Sequence, residues 1–225
     1  MKGGGLEGLE QTVLVCAAHT ITARATGDAE EVLFVLAGRG ELRLGGERHA
    51  LEPETGVNLA PGQEYELHNE GSDPLRTVCV QLRGAAGSGA DGTPRTTVRR
   101  LADQEAQDAT TERWFRIVAD PSTGLRGATQ FVGYIPTARA PEHFHTYDEV
   151  IYILEGEGAF HAGGATRPVS AGSSIELPAR TVHCLENTGQ DVMRLVAVFR
   201  PPGSPAAAYY PDGTPAYPGT PALTT

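Results

Sequence analysis

Three histidines and one glutamate in the second half of the chain have the residue types and the spacing of a metal site. His143 and His145 flank Phe144, Glu149 lies four residues after His145, and His183 follows after a further 34 residues (183 − 149). Residues two apart in a strand point to the same face, so His143 and His145 should project together. Three imidazoles and a carboxylate suit Fe, Mn, Ni, Zn or Cu as a divalent ion, with positions left for water or a substrate.

The residues around these side chains predict short strands joined by turns. Ala140-Pro141 favours an extended chain before His143, and Thr146-Tyr147-Asp148 has the composition of a turn. An apolar run at 150–154 follows directly, as in a buried strand. A turn at 146–148 would therefore place Glu149 beside the two imidazoles. An isolated His-x-His pair is common in strands that bind no metal, so the prediction depends on the fuller pattern.

The two halves of the chain repeat each other. EVLFVLAGRG at 31–40 matches EVIYILEGEG at 149–158, which gives an offset of 118 (149 − 31). The same offset pairs Gly45-Gly46 with Gly163-Gly164 and Asn69 with Asn187. A period this long indicates two copies of one domain. Because the copies consist of short apolar runs with turn signals, we predict an all-β chain of two sandwiches or barrels.

The composition along the chain predicts five segments. We expect a flexible tail at 1–10, a first barrel at 11–83, a Gly/Ala/Ser-rich linker at 84–96, a second barrel at 97–200 and a Pro/Tyr-rich tail at 201–225. The only helix-like run is Leu101–Ala109. The last segment has too many prolines for a helix or a central strand, but its tyrosines predict that it packs on a barrel or on a partner subunit.

Two spacings in the second copy carry a resemblance to a known family. H-x-H-x3-E-x6-G and G-x5-P-x4-H-x3-N are met by His143, His145, Glu149 and Gly156 and by Gly172, Pro178, His183 and Asn187. They resemble the two signature motifs of the cupin superfamily, and the duplicated chain is similar to a bicupin. The resemblance implies two tandem antiparallel jelly-roll barrels. It also implies a metal held in the second barrel by His143, His145, Glu149 and His183.

The first copy lacks this ligand set. The offset of 118 carries the four ligand positions to Ala25, Gly27, Glu31 and Tyr65. One carboxylate does not hold a transition metal, so we predict that the first barrel binds none. Because the first copy keeps the barrel pattern without the histidines, packing does not require them in the second.

Three further residues are candidates for catalysis in the second barrel. Arg180 stands where cupins usually have a glycine, and its guanidinium could pair with an anionic group of a substrate; a solvated turn is the alternative. Tyr134 and Tyr147 could line the cavity. Thr137 also replaces a glycine that is usual in the family.

The charged residues exclude several function classes. Acidic residues exceed basic ones by 28 − 18 = 10, and Lys2 is the only lysine. Schiff-base and pyridoxal-phosphate enzymes need a buried lysine, and P-loop nucleotidases need a Gly-Lys-Ser/Thr turn. The acidic balance without clustered arginines argues against nucleic acid as a partner. The excess of arginine over lysine is typical of a GC-rich bacterial genome.

The remaining composition predicts a cytoplasmic protein. No apolar segment is long enough for a bilayer, and Cys16, Cys79 and Cys184 are scattered without a CxxC pair. We therefore predict no membrane partner and no disulfide framework. Sheet edges of such barrels often pair, which predicts a homodimer.

Together these features predict a metal-dependent enzyme that acts on a small organic molecule. The resemblance favours dioxygenase-type chemistry. The same site in other cupins implies isomerase, dehydratase or lyase chemistry as an alternative. A non-catalytic module that binds a small ligand is a second alternative, because a fold does not fix a function.

Overall fold

The computed structural model describes residues 6–84, 95–109 and 112–223 and is built almost entirely from β-strands. Residues 1–5 of the predicted first tail and 85–94 of the predicted linker lie outside the described residues. Each strand pair with a described register is antiparallel. Among the described residues, no helix has the length and hydropathy needed to cross a bilayer.

The first compact unit holds residues up to Gln104 together with Val118–Ala128. Its strands are β1 Leu9–Cys16, β2 Thr20–Ala25, β3 Glu30–Ala37, β4 Gly40–Leu44, β5 Glu47–Leu51, β6 Thr55–Leu59, β7 Glu64–Asn69, β8 Leu75–Leu82 and β9 Thr97–Arg100. They form a sheet in the order β1-β8-β3-β6-β9 and a sheet in the order β2-β7-β4-β5. Alternate residues point into the barrel, where Leu33, Leu42 and Leu67 are fully buried.

The second compact unit holds residues 105–117 and 129–225. Its strands are β10 Ala106–Asp108, β11 Trp114–Ala119, β12 Thr129–Ile135, β13 Asp148–Glu155, β14 Glu157–Ala162, β15 Ala165–Ser170, β16 Ser174–Leu177, β17 His183–Asn187 and β18 Met193–Arg200. The last two residues of β11 belong to the first unit. The sheets have the orders β10-β11-β12-β18-β13-β16 and β15-β14-β17. The strands confirm the predicted all-β fold of two tandem antiparallel barrels.

The duplication extends to the hydrogen bonds. Ladder pairing of β3 with β8 shifts register between Val35 and Ala37, and that of β13 with β18 shifts between Ile153 and Glu155, 118 residues later. The turns before β8 and β18 also match. Asn69 donates to the carbonyl of Asp73, as Asn187 does to that of Asp191. Both asparagine side chains also accept the amide of the glycine two residues on. These bonds explain why the polar turn residues recur at one offset.

A steric constraint explains why the first signature motif ends in a glycine. Gly156 has φ of 89°, and a Cβ there would lie 2.9 Å from the Cα of Met193. Its counterpart Gly38 has φ of 81° and the same 2.9 Å approach to the Cα of Leu75. A side chain is thus disfavoured twice, by the left-handed backbone and by the neighbouring strand.

Two parts of the chain between the barrels differ from the sequence-based expectation. Strand β9 pairs with β6 and lies in the first unit, whereas the predicted boundary put residues 97–104 in the second barrel. The predicted helix over Leu101–Ala109 is wrong. A 3-10 turn covers Leu101–Asp103, and β10 then pairs with β11. The edge of the second sheet offers these residues hydrogen bonds that override their weak helical preference.

Candidate metal centre

Backbone pairing brings three histidines together inside the second barrel. His143 lies on the extended segment between β12 and β13, and His183 is the first residue of β17. The two residues form an antiparallel bridge in which each amide donates to the other's carbonyl, at 3.0 and 2.8 Å. His145 follows two residues after His143. One ring nitrogen from each of the three histidines lies within 4.8 Å of the others.

The hydrogen bonds of the rings fix which nitrogen faces the cluster. Nδ1 of His143 lies 2.9 Å from the carbonyl oxygen of Pro141, and Nδ1 of His183 lies 2.9 Å from that of Thr181. Nδ1 of His145 lies 2.8 Å from that of Ala207. A carbonyl oxygen only accepts, so each Nδ1 carries the proton and donates it. Each Nε2 then keeps a free lone pair, which is the arrangement of metal-ligating histidines.

Burial keeps the three imidazoles neutral. It lowers the pKa of His143, lowers that of His145 well below its ordinary value, and lowers that of His183 to about 3. Neutral imidazole is the form that binds a metal. Donor atoms, protonation and spacing of the cluster therefore all fit a divalent transition metal.

Glu149, the fourth predicted ligand, lines the same cavity near the start of β13. The group of donor atoms within 4.8 Å of one another comprises the three histidines and does not include its carboxylate. The side chain is buried, with 4% exposure, and burial raises the pKa of its carboxyl to about 8. It makes no hydrogen bond or ion pair with any residue that the structure describes. A buried carboxylate without a partner is costly unless it is neutral or meets a cation.

The cavity at the histidines has a volume of about 110 Å³ and mostly apolar walls. Phe131, Ile151, Leu185 and Leu195 form much of its lining. These side chains belong to the core of the second barrel, so the cavity is an unfilled part of that core. Three residues of this lining, Ala109, His143 and Ala208, also line a second cavity of about 360 Å³.

Two of the three predicted catalytic candidates line the cavity. Tyr134 stacks on Trp114, with ring centroids 5.2 Å apart. Tyr147 is buried and stacks on His145 at 4.6 Å and 8° between ring planes, which holds the imidazole in place. Arg180 is exposed and is absent from the lining. Its amide donates to the carbonyl of His145 with φ of 63°, a left-handed turn that explains why the family usually has glycine there.

Sequence reasoning missed Arg113, which precedes β11 and lines the cavity. Its Nη2 donates to the carbonyl of Leu185 at 2.6 Å. Burial lowers the pKa of Arg113, and its charge adds to the burial that lowers the pKa values of His143 and His183. The repeat could not reveal this residue, because an offset of 118 places its counterpart before the first residue of the chain.

Comparison with known proteins identifies the family of both barrels. The cupin domain family matches residues 18–81 and 130–199. The chain belongs to the cupin family. Two matched stretches, one in each unit, also confirm the predicted duplication of the cupin domain.

Known relatives cover only parts of this cupin chain. Auxin-binding protein 1 of Arabidopsis thaliana is 32% identical over 79 residues, which is 31% of this chain and 40% of that protein. An oxalate-binding protein of Thermotoga maritima is 40% identical over 51 residues, which is 23% of this chain and 42% of that protein. The chain thus spans less than half the length of these curated relatives.

A solved structure with two barrels supports the fold at low identity. A deletion mutant of Bacillus subtilis oxalate decarboxylase superposes with a TM-score of 0.68 at 14% identity. The match covers 86% of this chain and 68% of that chain. At this identity the likeness concerns the fold alone.

The C-terminal segment packs on the second barrel, as its tyrosines predicted, and it lines the cavity at the three histidines. Phe144 and Tyr209 exchange two backbone hydrogen bonds, and their rings stack at 5.5 Å. Pro205, Ala206 and Ala208 line the cavity. Because the carbonyl of Ala207 anchors His145, this segment is part of the site and not only a cover.

In the first cupin barrel an arginine bonds two of the residues at the equivalent ligand positions. Arg24 donates to the hydroxyl of Tyr65 at 2.7 Å and to the carboxylate of Glu31 at 3.1 Å. Tyr65 and Gln81 also donate to Glu31, whose side chain is fully buried. Burial and the charge of Glu31 raise the pKa of Tyr65. A guanidinium therefore balances the glutamate that both copies retain.

We expect removal of the C-terminal segment to weaken metal binding. A chain that ends after Gly203 loses the carbonyl that orients His145, and loss of such an outer contact costs about 10- to 100-fold in metal affinity. Titration with Zn²⁺ and a competing chelator measures this. Tyr209→Ala in the full chain should also lower the affinity for Zn²⁺. A chain that ends after Pro218 keeps these contacts and is the control; equal affinities of the two shortened chains would contradict the role.

We expect Arg24→Met to destabilise the first barrel by about 3 kcal/mol, because it leaves a buried carboxylate without its cation. Urea denaturation followed by circular dichroism measures the change. Arg39→Met is the matched control, since Arg39 pairs with Glu52 at 3.0 Å but is 79% exposed. Exposed pairs contribute about 1 kcal/mol or less. An equal loss of unfolding free energy in the two variants would show that the Arg24–Glu31 pair contributes no more than an exposed ion pair.

Proposed function

We propose that the second barrel binds one divalent transition metal and is an enzyme that acts on a small organic molecule. His143, His145 and His183 hold the metal through Nε2. The observation that carries this proposal is the set of three backbone carbonyls that receive the Nδ1 protons. Packing alone gives no reason to orient three buried imidazoles toward one point.

Glu149 is the fourth ligand in this proposal. Its buried carboxylate has no partner among the described residues and lines the same cavity as the histidines. A metal would supply that partner and favour the charged carboxylate over the neutral acid. The set of ligands would still leave positions for water and substrate.

A metal in this site supplies a Lewis acid or an oxygen-activating centre. The chain's own residues orient a ligand of the metal and exclude water. Tyr147 fixes the plane of His145, and the apolar walls exclude water and strengthen electrostatic contacts inside the cavity. Dioxygenase-type chemistry stays a prediction from the sequence. Isomerase, dehydratase or lyase chemistry stays the alternative, because the same type of site serves each of these reactions.

Binding without catalysis is the second candidate function. The observation that favours it is the 40% identity over 51 residues with a protein named for binding oxalate. The site geometry serves both functions, because the same ligands can orient a molecule or activate it. A cytoplasmic location and a homodimer belong to the proposal as further predictions; the three cysteines, all free and buried, fit a reducing compartment.

We expect His143→Ala and His183→Ala to lower metal affinity by about 100-fold or more, since each removes one of the few ligands of the site. Purified proteins are loaded separately with Fe, Mn, Ni, Cu or Zn, dialysed, and measured by elemental analysis. His161→Ala is the control, because His161 lies on β14 and pairs with Glu186 at 2.8 Å. Wild-type protein that retains none of the five metals would refute the site.

We expect the metal-loaded protein to convert a member of a panel of phenols and carboxylic acids. Oxygen uptake and product masses are measured together, so that oxygenase and lyase reactions are told apart. The His183→Ala protein should be slower by about 100-fold, because removing a group essential to the chemistry typically costs that factor. Binding with no turnover on any compound would favour the second candidate function.

A further inference from the structure

The cavity is lined by Arg113 and Glu149, and no ion pair joins these two side chains. Its Nη2 bonds the carbonyl of Leu185, while its buried Nε has no hydrogen-bond partner among the described residues. No acidic side chain within the described part of the chain forms an ion pair with it. Buried charges are usually paired, and an unsatisfied guanidinium N–H is costly.

Three other part-buried arginines of this chain pair with carboxylates. Arg24 pairs with Glu31 at 3.1 Å, and Arg194 pairs with Glu155 at 3.1 Å. Arg43 pairs with Glu41 at 2.5 Å. Arg113 departs from this pattern at the cavity that holds the three histidines. The departure indicates an anion that the chain itself does not provide.

The remaining side chains of the cavity lining indicate the chemical character of the rest of the ligand. Beyond the histidines, Glu149 and Arg113, the walls are aromatic or aliphatic, with Tyr134 and Tyr147 as the other polar side chains. The volume of about 110 Å³ is comparable to that of an engineered cavity of roughly 150 Å³ that holds benzene. A cavity of this volume has room for a ligand with one charged group and a short apolar body.

We propose that Arg113 is the anion-binding residue of this cavity and that its ligand is a small monocarboxylate with an apolar body. A guanidinium offers parallel N–H donors in a plane that matches a carboxylate. The free Nε of Arg113 gives one such donor, and the bond to Leu185 holds the side chain in place. The apolar body lies against Phe131, Ile151 and Leu195.

The charge balance of the proposed metal site leads to the same ligand. A divalent ion contributes +2, Arg113 contributes +1, Glu149 contributes −1, and the three imidazoles are neutral. An anionic ligand reduces the remaining positive charge of the buried site. This step rests on the proposed function, whereas the unpaired Arg113 does not.

The test compares isobutyrate with isobutyramide, which has the same shape and no charge. Trp114 is the only tryptophan and lines the cavity, so its fluorescence reports binding. Titrations use the full chain as purified and after treatment with a chelator. We expect isobutyrate to bind at least 10-fold more tightly than isobutyramide in both states. Equal affinities of the acid and the amide in wild-type protein would overturn the proposal.

Variants locate the preference for the acid. Arg113→Gln should bind acid and amide about equally, with its affinity for the amide within two-fold of wild type. Arg113→Lys keeps a positive charge but lacks the planar guanidinium, so it should retain only part of the preference for the acid. This variant also tests the role of Arg113 if the Gln variant fails to fold. Arg180→Gln, the exposed arginine suggested by the sequence, should keep the full preference. If Arg180→Gln loses the preference or Arg113→Gln retains it, the assignment is wrong.

Two further outcomes separate this inference from the proposed function. Protein that retains no metal but prefers the acid would refute the metal site and leave the role of Arg113 intact. Protein that retains metal and binds the acid and the amide equally would support the metal site and refute the role of Arg113. Oxalate is titrated in parallel on the chelator-treated protein. Tighter binding of oxalate than of isobutyrate would contradict the apolar body of the ligand.

Discussion

The antiparallel pairing of His143 with His183 is the constraint on which the candidate site depends. Two backbone hydrogen bonds fix these residues opposite each other, and each ring then donates Nδ1–H to the carbonyl two residues earlier in the chain. The same local geometry thus appears on both sides of the bridge. His145 does not follow this pattern: the carbonyl two residues before it, that of His143, accepts the amide of His183. Its Nδ1 reaches the carbonyl of Ala207 instead.

The two barrels balance one retained glutamate in different ways. Glu31 and Glu149 occupy equal ladder positions, opposite Leu59 and Leu177. The first barrel meets the carboxylate with a tethered cation, Arg24. The second presents three neutral nitrogen donors and no described cation in contact with the carboxylate. Desolvation makes a lone buried carboxylate costly in either barrel. The histidine cluster therefore makes physical sense as the receptor of a cation from solution, since a metal would satisfy the three lone pairs and the carboxylate together.

The sequence predicted the parts of this structure that depend on local periodicity. Two-residue alternation placed His143 and His145 on one face, and the offset of 118 predicted two barrels with matching turns at Asn69 and Asn187. What it could not predict depends on contacts between distant segments. The anchor of His145 lies 62 residues later in a segment without periodicity. The edge pairing of β10 with β11 overrode the helical preference of Leu101–Ala109. Arg180 was a candidate from motif position alone, but its side chain is exposed and outside the cavity lining, and its backbone is left-handed.

The use of arginine as the cation inside both barrels has a consequence for the cavity. A buried lysine can relieve its desolvation by losing a proton, whereas a guanidinium stays charged in proteins. The chain has a single lysine, Lys2, so its other cationic side chains are arginines and histidines. In the first barrel that permanent charge is balanced by Glu31. In the second, Arg113 keeps its charge as guanidinium groups do in proteins, and burial lowers the pKa of the histidines that line the same cavity. Glu149 is the acidic residue of the cavity lining and forms no ion pair with Arg113, so the charge of Arg113 has no counter-ion among the described residues. The proposed anion with an apolar body would pair with Arg113 and lie against the apolar lining of the same cavity.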